Sequence, residues 1–291
     1  MGLGSIFRRL FGGGGLTVEE LARRLDLSPD ELREFHPVYS EFTIPKRPVG
    51  RRTICAPDGD TKALQRRILR RLLGRLRCHP AAMGFERGRS IVTNALPHAG
   101  KAVVVRMDVR SFFRSTTRRR VRDYFCAIGW DRKAARLLAR LCTNRGCLPQ
   151  GAPTSPRLSN LINYGLDARL AGLAARHDAA YTRYADDITF SFERDDRTAI
   201  RRIIRGTKSV LDQHGYALHM KHKLHIRRRH QQQTVTGLVV NEVVGLPRRT
   251  RRWLRAVEHH IATGREATLA PAQLAGWRAL QDMIDAQAGA T

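Results

Sequence analysis

The sequence predicts an α+β fold with antiparallel strands, and three stretches carry that prediction. "YTRYADDITFS", residues 181–191, sets two β-type runs either side of a tight turn, which makes an antiparallel hairpin. "KAVVVRMDVRSFF", residues 101–113, is a near-continuous apolar strand ending on Asp108. "TKALQRRILRRLLGRL" places Leu64, Ile68, Leu72, Leu73 and Leu76 on one helical face with arginines opposite, so helices pack beside the strands.

Each further element follows from local signals. "TVEELARRLDLSPDELREF" predicts two short helices, since Thr17 with Glu20 and Ser28 with Glu31 are capping-box spacings and Pro29 suits a first helical position. Such a pair serves either as a packing unit or as a helix-turn-helix reader. "FTIPKRPVGRRTICAP" predicts a hairpin turning near Pro48 and Gly50, its loop loaded with Lys46, Arg47, Arg51 and Arg52. Pro149 to Pro156 is a loop, and Ser155-Pro156 opens a helix lined by Leu158, Leu161, Ile162, Leu166 and Leu170. A helix from about Asp196 to His214, the segment "YALHMKHKLHI", a strand pair in "TVTGLVVNEVVGLP" and two closing helices complete the chain.

With 291 residues the chain can bury a sizeable core, as one large domain or two modest ones. Lys and Arg total 53 against 26 Asp and Glu, a net charge of +27 that points to a polyanionic partner, nucleic acid first. Five cysteines lack any zinc-ligand spacing and read as reduced thiols in a cytoplasmic protein. No apolar run approaches the ~20 residues of a membrane span, so no membrane partner is expected.

Asp186 and Asp187 pose the chemical question. On a regular strand they would point to opposite faces, and only a turn lets both carboxylates converge. Convergence needs a cation. Together with Asp108 they would form a hard oxygen site suited to Mg²⁺, and two such ions can activate a hydroxyl and hold a departing pyrophosphate. Apolar strand, acid, "QG" loop, helix and acid hairpin follow one another in the order of a polymerase palm.

These residues resemble the reverse transcriptases of bacteria, and among them the retron family. "MDVRSFF" resembles the first palm motif, "LPQGAPTSP" the second, "YADD" the third, and "YALHMKHKL" and "TVTGLVV" the two that follow. "NALPH" (residues 94–98) and Val235-Thr236-Gly237 are similar to retron-specific marks. The resemblance implies a right-hand polymerase: a flexible arm (1–16), N-terminal helices and fingers (17–107), a palm (108–240, with a fingers part around 118–150) and a small helical thumb (241–291). It implies that Asp108, Asp186, Asp187 and the Val109 carbonyl hold two Mg²⁺ ions. Phe113 would exclude a 2′-hydroxyl and so select deoxynucleotides (dNTPs). Gln150 and Gly151 would lie against the new base pair. Arg52, helped by Lys46, Arg47 or Arg51, would grip the triphosphate. His222 stands where the family usually keeps a lysine, so either His222 or Lys223 would protonate the leaving pyrophosphate.

A retron resemblance further implies a structured non-coding RNA of msr-msd type as partner. Part of it would be copied into branched RNA-linked DNA (msDNA), primed from an internal guanosine 2′-hydroxyl. Asn94, Ala95, His98, Val235, Thr236 and Gly237 would help bind that RNA, with Arg248, Arg249 and Arg252 touching phosphates. A host RNase H would remove template, and a separate effector protein would serve anti-phage defence. Another bacterial reverse transcriptase, of abortive-infection or CRISPR-associated kind, and a non-catalytic RNA-binding module on a polymerase palm are the alternatives.

Overall fold

Thr17 and Ser28 start the first two helices, Val18–Leu25 and Pro29–Glu34, by accepting hydrogen bonds from the backbone N–H groups of Glu20 and Glu31. At Ser28 the capping box is complete. At Thr17 the Glu20 carboxylate turns instead to Arg23 and Arg24. The computed structural model describes residues 15–45, 50–219 and 224–289. The expected arm up to residue 14, Lys46, Arg47, His222 and Lys223 lie outside the described residues.

The chain forms two units: one from residues up to His79 together with Ser111–Gly165, the other from Pro80–Arg110 and the chain from Leu166 onward. In the first, Leu21, Leu25 and Leu32 of the opening helices sink into a core with Ile68, Leu73, Phe125, Leu138 and Leu141. Each such buried side chain stabilises the fold by roughly 1.5–3 kcal/mol, so this helix pair acts as packing. The helix Gly59–Ile68 passes into a π-helical turn, Leu69–Leu73. Strands β1 (Tyr39–Pro45) and β2 (Arg51–Pro57) make the expected hairpin. Among the described residues all five cysteines are free. Burial pushes the Cys142 thiol up to about 12, leaving it an inert filler.

The second unit centres on a four-stranded antiparallel sheet in the order β4-β5-β3-β6, with β3 Val103–Asp108, β4 Ala179–Tyr184, β5 Asp187–Phe192 and β6 His225–Arg228. Register fixes its two faces. Val105, Met107, Ile188, Phe190 and Tyr181 share one face and are buried. Arg106, Asp108, Asp187, Thr189, Ser191 and Thr182 share the other. The predicted helix after Asp196 runs Arg197–Gln213, capped by the Asp196 carboxylate. Strands β7 (Thr234–Val235) and β8 (Leu238–Val239) form a small hairpin, and helices Arg248–Ala262 and Pro271–Ala288 follow. No helix among the described residues is long and apolar enough to cross a membrane.

Candidate active site

Asp108 ends β3 and Asp187 begins β5, and the two are direct cross-strand partners. Directly opposed residues project from the same face with Cβ atoms ~5 Å apart, so their carboxylates can share one ion by side-chain rotation. Asp186 completes the set. Tyr184 pairs with Asp187, which leaves Ala185 and Asp186 as a two-residue loop. Ala185 takes φ +57°, a left-handed conformation that is strained for a residue with a Cβ. The Asp186 carbonyl accepts from Val109 N–H at 2.9 Å, tying the hairpin tip to the residue after Asp108. His219 N–H donates to the Asp108 carbonyl at 2.8 Å, which brings the segment before residue 220 alongside.

The three acids therefore meet at one end of one sheet, each partly exposed. Their donor set is all carboxylate oxygen, which fits a hard divalent cation. The Arg106 guanidinium faces them, its Nη2 3.8 Å from Asp187 Oδ2. Among the described residues no three acidic, imidazole or thiol groups are gathered into a ready-made metal cluster. The backbone brings the three residues to one end of the sheet.

The turn has a buried support that the sequence reading missed. Asp167, on helix Tyr164–Ala175, and Arg183, on β4, are both fully buried. Arg183 donates from Nε and Nη2 to the two Asp167 oxygens at 2.8 and 2.6 Å, and from Nη1 to the Ala185 carbonyl at 2.9 Å. Tyr181 O–H donates to Asp167 Oδ1 at 2.7 Å. Burial alone would lower the Arg183 pKa, but the facing Asp167 carboxylate outweighs it and holds the pKa above its ordinary value. The available signal was a charge at an inward strand position and an acid between Leu166 and Leu170 on a helix.

In the first unit, Gln150 and Gly151 lie against β2: the Gln150 carbonyl accepts from Cys55 N–H at 2.8 Å. Arg51 and Arg52 are exposed on the same strand, Arg52 about 10 Å along it from Cys55. Phe113 is half-buried, packed on the first core and edge-on to Phe112 at 5.6 Å. It is thus a core aromatic with a remaining open side.

The two retron-like marks meet each other. Thr236 and Gly237 take φ +46° and +85° as the two-residue loop between β7 and β8, a primed hairpin turn. Thr236 Oγ1 donates to the Ile91 carbonyl at 3.0 Å and faces Asn94 Nδ2 at 3.4 Å. Asn94, Ala95, His98 and Val235 are buried. These four side chains are closed off by protein and pack in the interior. His98 bridges Ser191 on β5 and Thr182 on β4 at 2.7 and 2.8 Å, and burial, with Lys101 nearby, holds its pKa down to about 3. Arg248, Arg249 and Arg252 are exposed in the first turns of their helix. Trp253 packs edge-on to Trp277 at 5.8 Å and anchors the last two helices.

The model of the reverse transcriptase (RNA-dependent DNA polymerase) family matches residues 44–240. The retron Mx65 reverse transcriptase of Myxococcus xanthus is 39% identical over 298 residues, covering 92% of this chain and 68% of that relative. The retron Ec86 reverse transcriptase of Escherichia coli is 35% identical over 255 residues, covering 86% and 77%. The chain belongs to the retron reverse transcriptases.

As a reverse transcriptase it is an RNA-directed DNA polymerase with a palm-type fold of mixed helix and antiparallel sheet. The retron Mx162 reverse transcriptase of Myxococcus xanthus, 37% identical, matches 94% of this reverse transcriptase and 65% of its own length. Retron membership displaces the abortive-infection and CRISPR-associated alternatives, and a reverse transcriptase domain displaces the non-catalytic module.

Proposed function

We propose that this reverse transcriptase copies part of a structured retron RNA into branched, RNA-linked single-stranded DNA, in the cytoplasm and in service of anti-phage defence. The observation that carries its chemistry is the pairing of Asp108 with Asp187 beside the tethered Asp186. Asp108, Asp186 and Asp187, with the Val109 carbonyl, hold two Mg²⁺ ions. When bound, such ions supply an activated hydroxyl and charge neutralisation for the leaving pyrophosphate. Arg52, with Arg51 and Lys46, binds the triphosphate of the incoming dNTP through planar multidentate contacts. Phe113 presents its open edge to the sugar and excludes ribonucleotides. Gln150 and Gly151 face the nascent base pair. His222 or Lys223 delivers a proton to the pyrophosphate.

The RNA is held by exposed cations. Helix Arg248–Ala262 has five arginines within its first eight residues and no acid in its first turn. Positive charge at a helix N-terminus opposes the macrodipole, so local stability does not explain the pattern and an anionic partner does. A 530 Å³ groove between this helix and Pro271–Ala288 has Leu254, Leu274 and Trp277 beside Arg248, Arg251 and Arg255. Ala95 and Val235 share a core with Leu254, Trp277 and Ile284 of the closing helices, and with Asn94, His98, Thr236 and Gly237 they help bind that RNA. Host RNase H removes template, and a separate effector protein acts downstream.

The test uses purified protein, a primed structured RNA, dNTPs and Mg²⁺. Asp186→Ala and Asp187→Ala each abolish extension, while the co-purifying nucleic acid of the unaltered protein is a branched RNA–DNA molecule sensitive to both RNase and DNase. Acid-independent extension would overturn the catalytic assignment. Purely linear product would overturn the retron priming assignment.

A further inference from the structure

A buried ion pair stabilises little: replacing one by apolar residues of similar volume is often neutral or favourable. The Arg183–Asp167 pair, both residues at 0% exposure, therefore calls for a reason other than stability. Its geometry supplies one. Two guanidinium nitrogens are clamped bidentately by Asp167, which is fixed in turn by Tyr181 O–H. That leaves Nη1, the donor aimed at the Ala185 carbonyl. Ala185 is the strained residue at φ +57° immediately before Asp186. An apolar pair in the same place would leave that carbonyl without this donor and the turn free to relax.

The same turn is seated from a second side. Segment 81–84 runs along β4, with Arg183 N–H donating to the Ala81 carbonyl and Met83 N–H to the Arg183 carbonyl, each at 2.8 Å. Gly84 then lies so close that a methyl there would come within 2.8 Å of Ala185 N. Backbone bonds thus fix where β4 lies, and the Arg183 side chain fixes how its turn leaves the strand.

We propose that Arg183, clamped by Asp167, is a positioning residue for polymerisation: by holding the Ala185 carbonyl it sets the direction in which Asp186 and Asp187 present their carboxylates. The proposal rests on the reading of those two acids as metal-holding. It assigns Arg183 no contact with substrate.

The test compares Arg183→Lys, the apolar double variant Asp167→Leu/Arg183→Met, and Tyr181→Phe. Lysine keeps charge but cannot serve three acceptors in one plane. The double variant keeps the core filled and removes the buried charges together. Tyr181→Phe loses one bond to Asp167 and leaves the Ala185 contact. Three readouts are taken: thermal unfolding, kcat and dNTP KM in RNA-templated extension, and Mn²⁺ binding to the free protein by electron paramagnetic resonance.

In Arg183→Lys and in the double variant, kcat per folded molecule falls about 10²-fold. The Mn²⁺ dissociation constant rises about 10- to 100-fold in both, and dNTP KM stays within about two-fold. Tyr181→Phe stays near the unaltered enzyme. Folded Arg183 variants with unchanged kcat and Mn²⁺ binding would overturn the proposal, as would activity lost only in step with folded fraction. A Tyr181→Phe loss as large as that of the double variant would also overturn it, since the network would then matter as packing. Asp186→Ala and Asp187→Ala separate the two levels. If they retain Mn²⁺ binding, the metal-holding reading fails and the positioning role with it; if they lose binding while the Arg183 variants keep it, only the positioning role fails.

Discussion

Gly151 stands at φ +130°, and a Cβ there would lie 2.8 Å from the Cys55 carbonyl and 3.0 Å from Ile54 Cγ2. Both the conformation and the space exclude a side chain. The resemblance implies that Gly151 lies against the new base pair; the structure shows β2 packed closely on it. Gly151→Ala must therefore push the Gln150 loop off β2. The expected cost is about 1–3 kcal/mol of stability, read by thermal unfolding, with a rise in dNTP KM that exceeds the fall in kcat. An unchanged KM would separate this loop from nucleotide binding. The candidate acids Asp108, Asp186 and Asp187 were legible because carboxylates at strand ends and a hairpin tip need a reason that a cation would supply. Asp167 and Arg183 were not, because each taken alone looks like an ordinary charge on a helix or strand, and only the fold reveals that they face one another in the interior.

Elements were read more completely than their roles. The hairpins at 39–57 and 179–192, the strand ending on Asp108, the Asp196-capped helix and the two closing helices all stand where periodicity and capping put them. Roles differed where a motif's polar residues face inward. His98 is the clearest case: its ring lies on the same sheet face as Asp108 and Asp187, bonded to β4 and β5, and is neutral. Its pKa of about 3 when folded lies below the ordinary value of about 6.5. The unfolded chain thus binds a proton that the folded chain does not, between those two values. This contribution is fully present above pH ~6.5 and is lost as pH falls toward 3, with a slope approaching 1.4 kcal/mol per pH unit. His98→Gln keeps a donor and an acceptor but no titration. Urea midpoints at pH 7.5 and pH 5 should converge for the variant and separate for the unaltered protein, and equal separations would place the pH dependence elsewhere.

For the whole molecule, +27 is the dominant physical fact. Like-charge repulsion of that size opposes folding unless counterions or a polyanion offset it, and the described ion pairs are few beside 53 cations. Charge alone could not say where the partner sits, because arginines line nearly every exposed helix. Under the proposed function the surface at Arg248, Arg249, Arg251, Arg252 and Arg255 is the candidate, where exposed cations gather at a helix N-terminus. If these meet RNA phosphates, binding is driven by counterion release, and each lost contact lowers the slope of log K against log salt by about 0.7–0.9. Replacing Arg248, Arg249 and Arg252 together by Ala should then flatten the slope by about two to three, measured by filter binding of the structured RNA across a salt series. Thermal unfolding without RNA should hold or rise, because the helix N-terminus is relieved of positive charge. A slope unchanged in the triple variant would move the RNA to another face of the molecule. A slope reduced equally by the triple substitution Arg201, Arg202 and Arg205→Ala, on the helix Arg197–Gln213, would mean that the chain holds RNA by its total charge and not by this surface.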